Sequence, residues 1–228
     1  MSGYFFFLIV VLAFMAATGY ANDFCCGNGP VYCLQATKDV FLEVGSRNMN
    51  SYKFLIFGKH PGFVKKRILI QFGDIPSECG NIVSAKLYLK YWYSHKASYI
   101  KTLVNINRTV QVHQVIITRK GKRGEIKEDW TESQATSTHC KTGIKWSKPY
   151  LALDGTDANP NTLDTVIFPP TKPWLQLDIT EAAQNWKNGE GNYGVLIWAT
   201  NENDDARDIR FHSREHSTDK PFLSIFCN

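Results

Sequence analysis

Beyond Lys38 the chain is a succession of short stretches in which apolar and polar residues alternate or apolar residues run together, punctuated by Gly, Pro, Asn and Asp. That is the pattern of an all-β sandwich or barrel. Strands are predicted over Val40–Val44, Lys66–Phe72, Ser84–Tyr93, Val110–Ile117, Trp174–Leu177, Tyr193–Thr200, Ile209–Ser213 and Phe222–Phe226. In Ser84–Tyr93 the alternation directs Ala85, Leu87, Leu89, Tyr91 and Tyr93 to the core, and Lys86, Tyr88, Lys90 and Trp92 to the opposite face. Helical spacing occurs once. Asp178-Ile-Thr-Glu181 has capping-box form, Ile179, Ala182, Ala183 and Trp186 then share a face, and Asn188-Gly189 ends the helix. The stretch Thr136–Pro173 carries few strand signals and a turn-rich segment at Asp154–Asn161. It is expected to run as a long connection over the surface, pinned in part by Cys140.

The amino-terminal residues change the picture. An uncharged apolar run from Tyr4 to Ala17, followed by Gly19 and Ala21, reads as a signal peptide cleaved after Ala21, although its first residues carry no Lys or Arg. The run is shorter than the roughly 20 residues that span a bilayer, so export rather than membrane anchoring is expected. Cys25, Cys26, Cys33, Cys79, Cys140 and Cys227 all follow that point. An even count in an exported chain predicts a disulfide framework, with adjacent Cys25 and Cys26 taking different partners and the pairing otherwise open. CxxC pairs are absent, which argues against zinc ligation by these thiols. The chain divides into residues 1–21, a cysteine-rich segment 22–38 and one domain over 39–228. Its net charge of +5 favours mildly acidic partners but is too small, and too little organised around aromatics, to argue for nucleic acid.

Several phrases, in order, carry a family resemblance: Arg67-Ile-Leu-Ile-Gln-Phe72, Ile82-Val-Ser-Ala-Lys-Leu-Tyr-Leu89, Val110-Gln-Val-His113 and Trp130-Thr-Glu132. Leu177-Asp-Ile-Thr180 with Trp186, Asn192-Tyr-Gly-Val-Leu-Ile197, Phe211-His-Ser-Arg-Glu215 and Pro221-Phe-Leu223 follow. Together they resemble the DNRLRE-domain family, extracellular β-sandwich modules that overlap a family of carbohydrate-binding modules attached to polysaccharide-degrading enzymes. The resemblance covers about Val40 to Phe226 and implies a jelly-roll β-sandwich, to which the pattern above adds one short helix, for the domain over 39–228. The cysteine-rich start, the basic Arg119-Lys-Gly-Lys-Arg123 and the long central connection depart from it.

His212-Ser-Arg-Glu-His216 matches the inverted zinc-protease motif H-x-x-E-H, which needs a helix. On a continuing strand the two histidines would stand about 13 Å apart at about 3.3 Å per residue, so no catalytic zinc is expected. No G-x-S-x-G elbow, P-loop or dinucleotide fingerprint is present, and a non-enzyme is the reading. Asn201-Glu-Asn-Asp-Asp205 offers oxygen ligands without calcium-loop spacing. A polar turn is expected there, with a structural calcium as the alternative and no other cofactor. Asn107-Arg-Thr109 is a glycosylation sequon ahead of a strand, and Lys122-Arg123-Gly124 reads as a basic loop.

Candidate ligand contacts are Lys86, Tyr88, Lys90 and Trp92, with Arg210, His212 and Arg214 alternating likewise on another strand. Aromatic rings stack on sugar faces and cations pair with carboxylate or sulfate, a combination suited to an acidic polysaccharide. The expected function is a secreted matrix or adhesion protein holding such a chain, with matrix polysaccharide or matrix proteins as partners. The alternatives are a purely structural component of a cuticle, mucus or biomineral matrix, and then a polysaccharide-active or zinc-dependent hydrolase.

Overall fold

The computed structural model describes residues 31–45, 47–59, 65–92, 107–121, 124–127, 129–169, 171–200 and 209–228. The strands are β1 (Val31–Leu42), β2 (Phe54–Lys59), β3 (Lys65–Phe72), β4 (Ile82–Lys90), β5 (Arg108–Gln114), β6 (Thr118–Gly121) and β7 (Gly124–Lys127). They continue with β8 (His139–Lys141), β9 (Ile144–Lys145), β10 (Asp164–Phe168), β11 (Trp174–Asp178), β12 (Val195–Ala199), β13 (Ile209–His212) and β14 (Phe222–Cys227). One helix, α1 (Thr180–Lys187), lies between β11 and β12.

Antiparallel pairing runs β10-β5-β12-β3-β1-β14-β4-β11, and β1 joins the two halves of the fold. Its first residues pair with β14, its last with β3, and the register shifts between Ala36 and Lys38 where it passes from one sheet to the other. The β2–β13 ribbon pairs with β3 and meets the end of β4 through the Tyr91–Phe211 bridge, so the two sheets nearly close on each other. This is an all-β fold, as the alternation predicts.

The core forms where the inward rows meet: Ala85, Leu87 and Leu89 of β4 and Leu223 and Ile225 of β14 oppose Ile68 and Ile70 of β3 and Val110 and Val112 of β5, each fully buried. From Lys66 onward every residue of β3 is buried, because its second face is covered as well. The cover is residues 129–163. Its part from Thr136 onward, read from sequence as a surface connection, instead buries Cys140, Trp146, Tyr150 and Leu151, and Trp130 and Ala135 just ahead are buried as well. The guanidinium of Arg67 donates to the carbonyls of Tyr150 (3.0 Å) and Leu151 (3.4 Å) and lies over the Trp198 ring, and the Trp130 indole N–H donates to the Tyr193 carbonyl (2.9 Å). Buried Asp157 gathers the N–H groups of Ser147, Lys148 and Ala152, satisfying backbone that would otherwise be stranded. Within the same predicted connection, Asp164–Phe168 forms an edge strand on β5.

The helix takes the predicted face, burying Ile179, Ala182, Ala183 and Trp186. Its cap differs from the capping box. Asp178 accepts from the N–H and hydroxyl of Thr180 (3.0 and 2.6 Å), while its own N–H goes to Asp164 on β10 (2.9 Å). Among the described residues no helix is long and apolar enough to cross a membrane.

Candidate functional site

The register of the β1–β14–β4–β11 sheet sets what lies on its outer face. Trp174 stands opposite Lys90, Gln176 opposite Tyr88 and Asp178 opposite Lys86, while Phe222 and Ser224 of β14 flank Tyr88 and Lys86 on the other side. Lys86, Tyr88 and Lys90 of β4 and Trp92 just past its end lie on the outer face as the alternation requires, but to different depths. Lys86, Lys90 and Trp92 are half-buried, whereas Tyr88 is only 8% exposed and lies flat on Phe222 at 4.8 Å between ring centroids. Burial pushes the Tyr88 phenol up from its usual pKa. Tyr88 and Phe222 are therefore both buried beneath the surface, and the ring beside them that is partly exposed is Trp174. Trp174 packs edge-on to Phe222 (5.7 Å) and carries the Lys90 ammonium 4.9 Å above its own ring.

Past Lys90 the band continues onto β13. The Trp92 N–H donates to the Arg210 carbonyl (2.8 Å), and the Trp92 ring meets Phe54 (5.3 Å), His212 (5.7 Å) and His216 (5.3 Å) edge-on. Exposed Arg210 lies over Phe54 at 5.0 Å. Burial holds His212 below the usual imidazole pKa, the charges of His216 and Lys90 adding to that and the Thr218 carbonyl and Asp219 opposing it. The two predicted groups thus meet in one band of Trp174, Lys90, His212, His216, Trp92, Arg210 and Phe54, with Lys86 two rows away beyond Tyr88.

Arg214 does not join it. Its Nε lies 2.8 Å from Glu132 and 2.9 Å from Glu215, and its Nη1 donates to the Thr37 carbonyl. The H-x-x-E-H geometry also differs from the extended-strand expectation. β13 ends at His212, the chain turns through Ser213, and the rings of His212 and His216 stack with centroids 3.6 Å apart, both Nδ1 atoms facing the Thr218 carbonyl (3.1 and 2.8 Å). Glu215 leaves that pair for a cluster with Asp39 and Glu132. Asp39 is held well above the usual carboxylate pKa, by burial first and then by the charges of Glu215 and Glu132 against a bond from the Arg214 N–H; burial likewise raises Glu132.

Cys79 and Cys227 form a disulfide, and Cys33 is disulfide-bonded. Cys140, expected in the disulfide framework, is a buried thiol whose sulfur donates to the Ile144 carbonyl (3.4 Å). Cys25, Cys26, residues 1–21, read from sequence as a signal peptide, and Asn201–Asp205 lie outside the described residues. Asn107 is exposed at the start of β5. A cleft of about 330 Å³ beside α1, lined by Asp74, Ile75, Trp186, Lys187 and Glu190 among others, holds a single aromatic ring and lies apart from the band.

Sequence reasoning missed Trp174, Phe54 and His216. Trp174 opens a predicted strand with period-two alternation, but its place beside Lys90 depends on strand order, which local pattern does not carry.

The fold is an all-β, nearly closed sandwich whose outer face carries a band of aromatic and cationic side chains. Within it, the sequence model of carbohydrate-binding module family 96 matches residues 83–226, and the chain belongs to that family. No curated protein sequence matches the chain. The matched span starts inside β4, whereas the sheets also need β1 and β3, so the fold extends well upstream of it.

Proposed function

We propose that the protein is a secreted, non-enzymatic polysaccharide-binding protein of an extracellular matrix, which holds acidic chains along the band from Trp174 to Arg210. The observation that carries the reading is the alternation of rings and cations along that band: Trp174 under Lys90, then Trp92 against the histidine pair, then Arg210 over Phe54. Aromatic rings suit the apolar faces of sugars, and the cations beside them suit carboxylate or sulfate groups. Membership of a carbohydrate-binding family and the net charge of +5 support the same partner class.

The test is binding to uronate-rich, sulfated and neutral glycans at several salt concentrations. Trp92→Ala or Trp174→Ala should lower affinity about tenfold, a loss of about 1.4 kcal/mol, at every salt concentration. Replacing Lys86 and Lys90 with Gln should act chiefly at low salt, because the Debye length shortens from about 10 Å at 0.1 M to about 3 Å at 1 M. Binding to none of these glycans would favour the purely structural matrix role. Binding unaffected by all four substitutions would move the site elsewhere, the cleft beside Trp186 first.

A further inference from the structure

Away from the band, three carboxylates converge where β1 crosses between the sheets. Asp39 follows the register shift in β1, Glu132 belongs to the covering segment, and Glu215 sits in the turn after β13. One oxygen from each lies within 4.8 Å of the others. Arg214 contributes one positive charge, its Nε shared between Glu132 and Glu215, which leaves two negative charges when all three acids are ionised. The second observation is the state of the oxygens. Asp39 is 1% exposed, and its Oδ2 accepts the Arg214 N–H (2.7 Å), yet its Oδ1 is sealed from solvent and accepts no hydrogen bond. The same holds for Oε2 of Glu215. A buried ionised carboxylate oxygen without a donor is strongly disfavoured unless a cation or a proton meets it.

We propose that Asp39, Glu132 and Glu215 form a divalent-cation site that takes Ca²⁺ through Asp39 Oδ1, Glu215 Oε2 and the Glu132 carboxylate. The donors are all oxygen, with no imidazole or thiolate among them, which selects a hard cation over zinc or copper. They come from three separate segments in an irregular arrangement, which suits the flexible coordination of calcium better than the octahedron that magnesium demands. The side chains of Glu132 and Glu215 are 15% and 24% exposed, giving an ion a route in and water a place in its shell. Bound there, the ion ties the β1 crossing, the cover and the turn carrying the histidine pair into one unit.

The test uses the full chain after chelator treatment, titrated calorimetrically with CaCl₂ and in parallel with MgCl₂, and melted at rising calcium. One ion per chain is expected, with a Kd of about 10⁻⁴ to 10⁻³ M, since one guanidinium already offsets part of the ligand charge, and with weaker binding of magnesium. At a hundredfold excess over Kd the Tm should rise by roughly 5–10 °C. Glu215→Gln keeps the side-chain shape on a partly exposed residue and should weaken binding at least tenfold and remove the Tm response, and Asp39→Asn should do the same. No heat and no Tm response at a tenfold excess over that Kd range would overturn the site and leave protons as the neutralising charges. Binding undiminished in Glu215→Gln would equally overturn it, by placing the ion elsewhere.

Discussion

Removing the Cys79–Cys227 bridge should be among the most costly changes that leave the sheets themselves untouched. The bridge joins residues 148 apart in sequence across the junction of β4 and β14. Closing a loop of that length removes about 17 cal/mol/K from the unfolded chain, which is about 5 kcal/mol at 25 °C in the chain-entropy treatment. Both cysteines are 1% exposed, so the Cys79→Ala/Cys227→Ala pair also loses packed sulfur. Against a total stability of about 5–15 kcal/mol, that is a third or more of what holds the fold. The double variant is preferable to a reductant, because Cys33 is also disulfide-bonded and would be reduced at the same time. In urea unfolding followed by tryptophan fluorescence, the variant should lose about 3–5 kcal/mol, with a larger m because the unlinked unfolded chain exposes more surface. A loss below about 1 kcal/mol with m unchanged would refute the reasoning. It would mean that the unfolded chain is held compact by something other than this bridge.

Three further outcomes follow from the core and its cover. Gly194→Ala places a Cβ against the Ile70 carbonyl at a φ of +81° and should cost more than about 2 kcal/mol, read as a Tm drop of at least about 4 °C; an unchanged Tm would contradict it. Arg67→Met keeps apolar volume but strips the donors from the Tyr150 and Leu151 carbonyls, residues held at φ of 67° and 64°, and should lower unfolding stability by about 2–4 kcal/mol; a loss below about 0.5 kcal/mol would contradict it. Burial, with the Arg67 charge adding to it and the carbonyls of Asn159 and Asn161 opposing, holds His113 below the usual imidazole pKa beside Trp198. The unfolded chain then binds the proton first, so stability should fall as pH drops below about 6.5 toward the folded-state value, and His113→Gln should lose less over that window than the unaltered chain does.

The legible parts of this fold are those where one face is wet. In β4 the alternation separates Leu87 and Leu89 from Lys86 and Lys90 because only one side of that strand meets the core. Alternation gives the side but not the depth, which is why Tyr88 points outward and is nevertheless buried against Phe222. Where both faces are covered the signal weakens. The sequence pattern gives no warning that the segment containing Trp146, Tyr150 and Leu151 lies on the second face of β3, because its turn-forming residues resemble those of a solvated loop. Strand ends were least legible. Nothing in Phe211-His-Ser-Arg-Glu215 says that extension stops at His212, and that single reversal both stacks the histidines and sends Glu215 toward Asp39. The cationic members of the band could be found from periodicity, whereas Trp174 and Phe54 join it through cross-strand neighbours that become adjacent only once the sheets assemble.

The pairing of β1 with β14 also imposes an order in time. Val31 lies opposite Phe226, so β1, once it emerges from a ribosome, has no partner on that side until 195 further residues have been made. At about 5–20 residues per second that is a wait of roughly 10–40 s, during which an apolar strand edge is available to any other chain nearby. A ribosome stalled before Pro221 would therefore hold a nascent chain with most of its strands made but no way to join its two sheets through β14, a species prone to clumping rather than one that is merely incomplete.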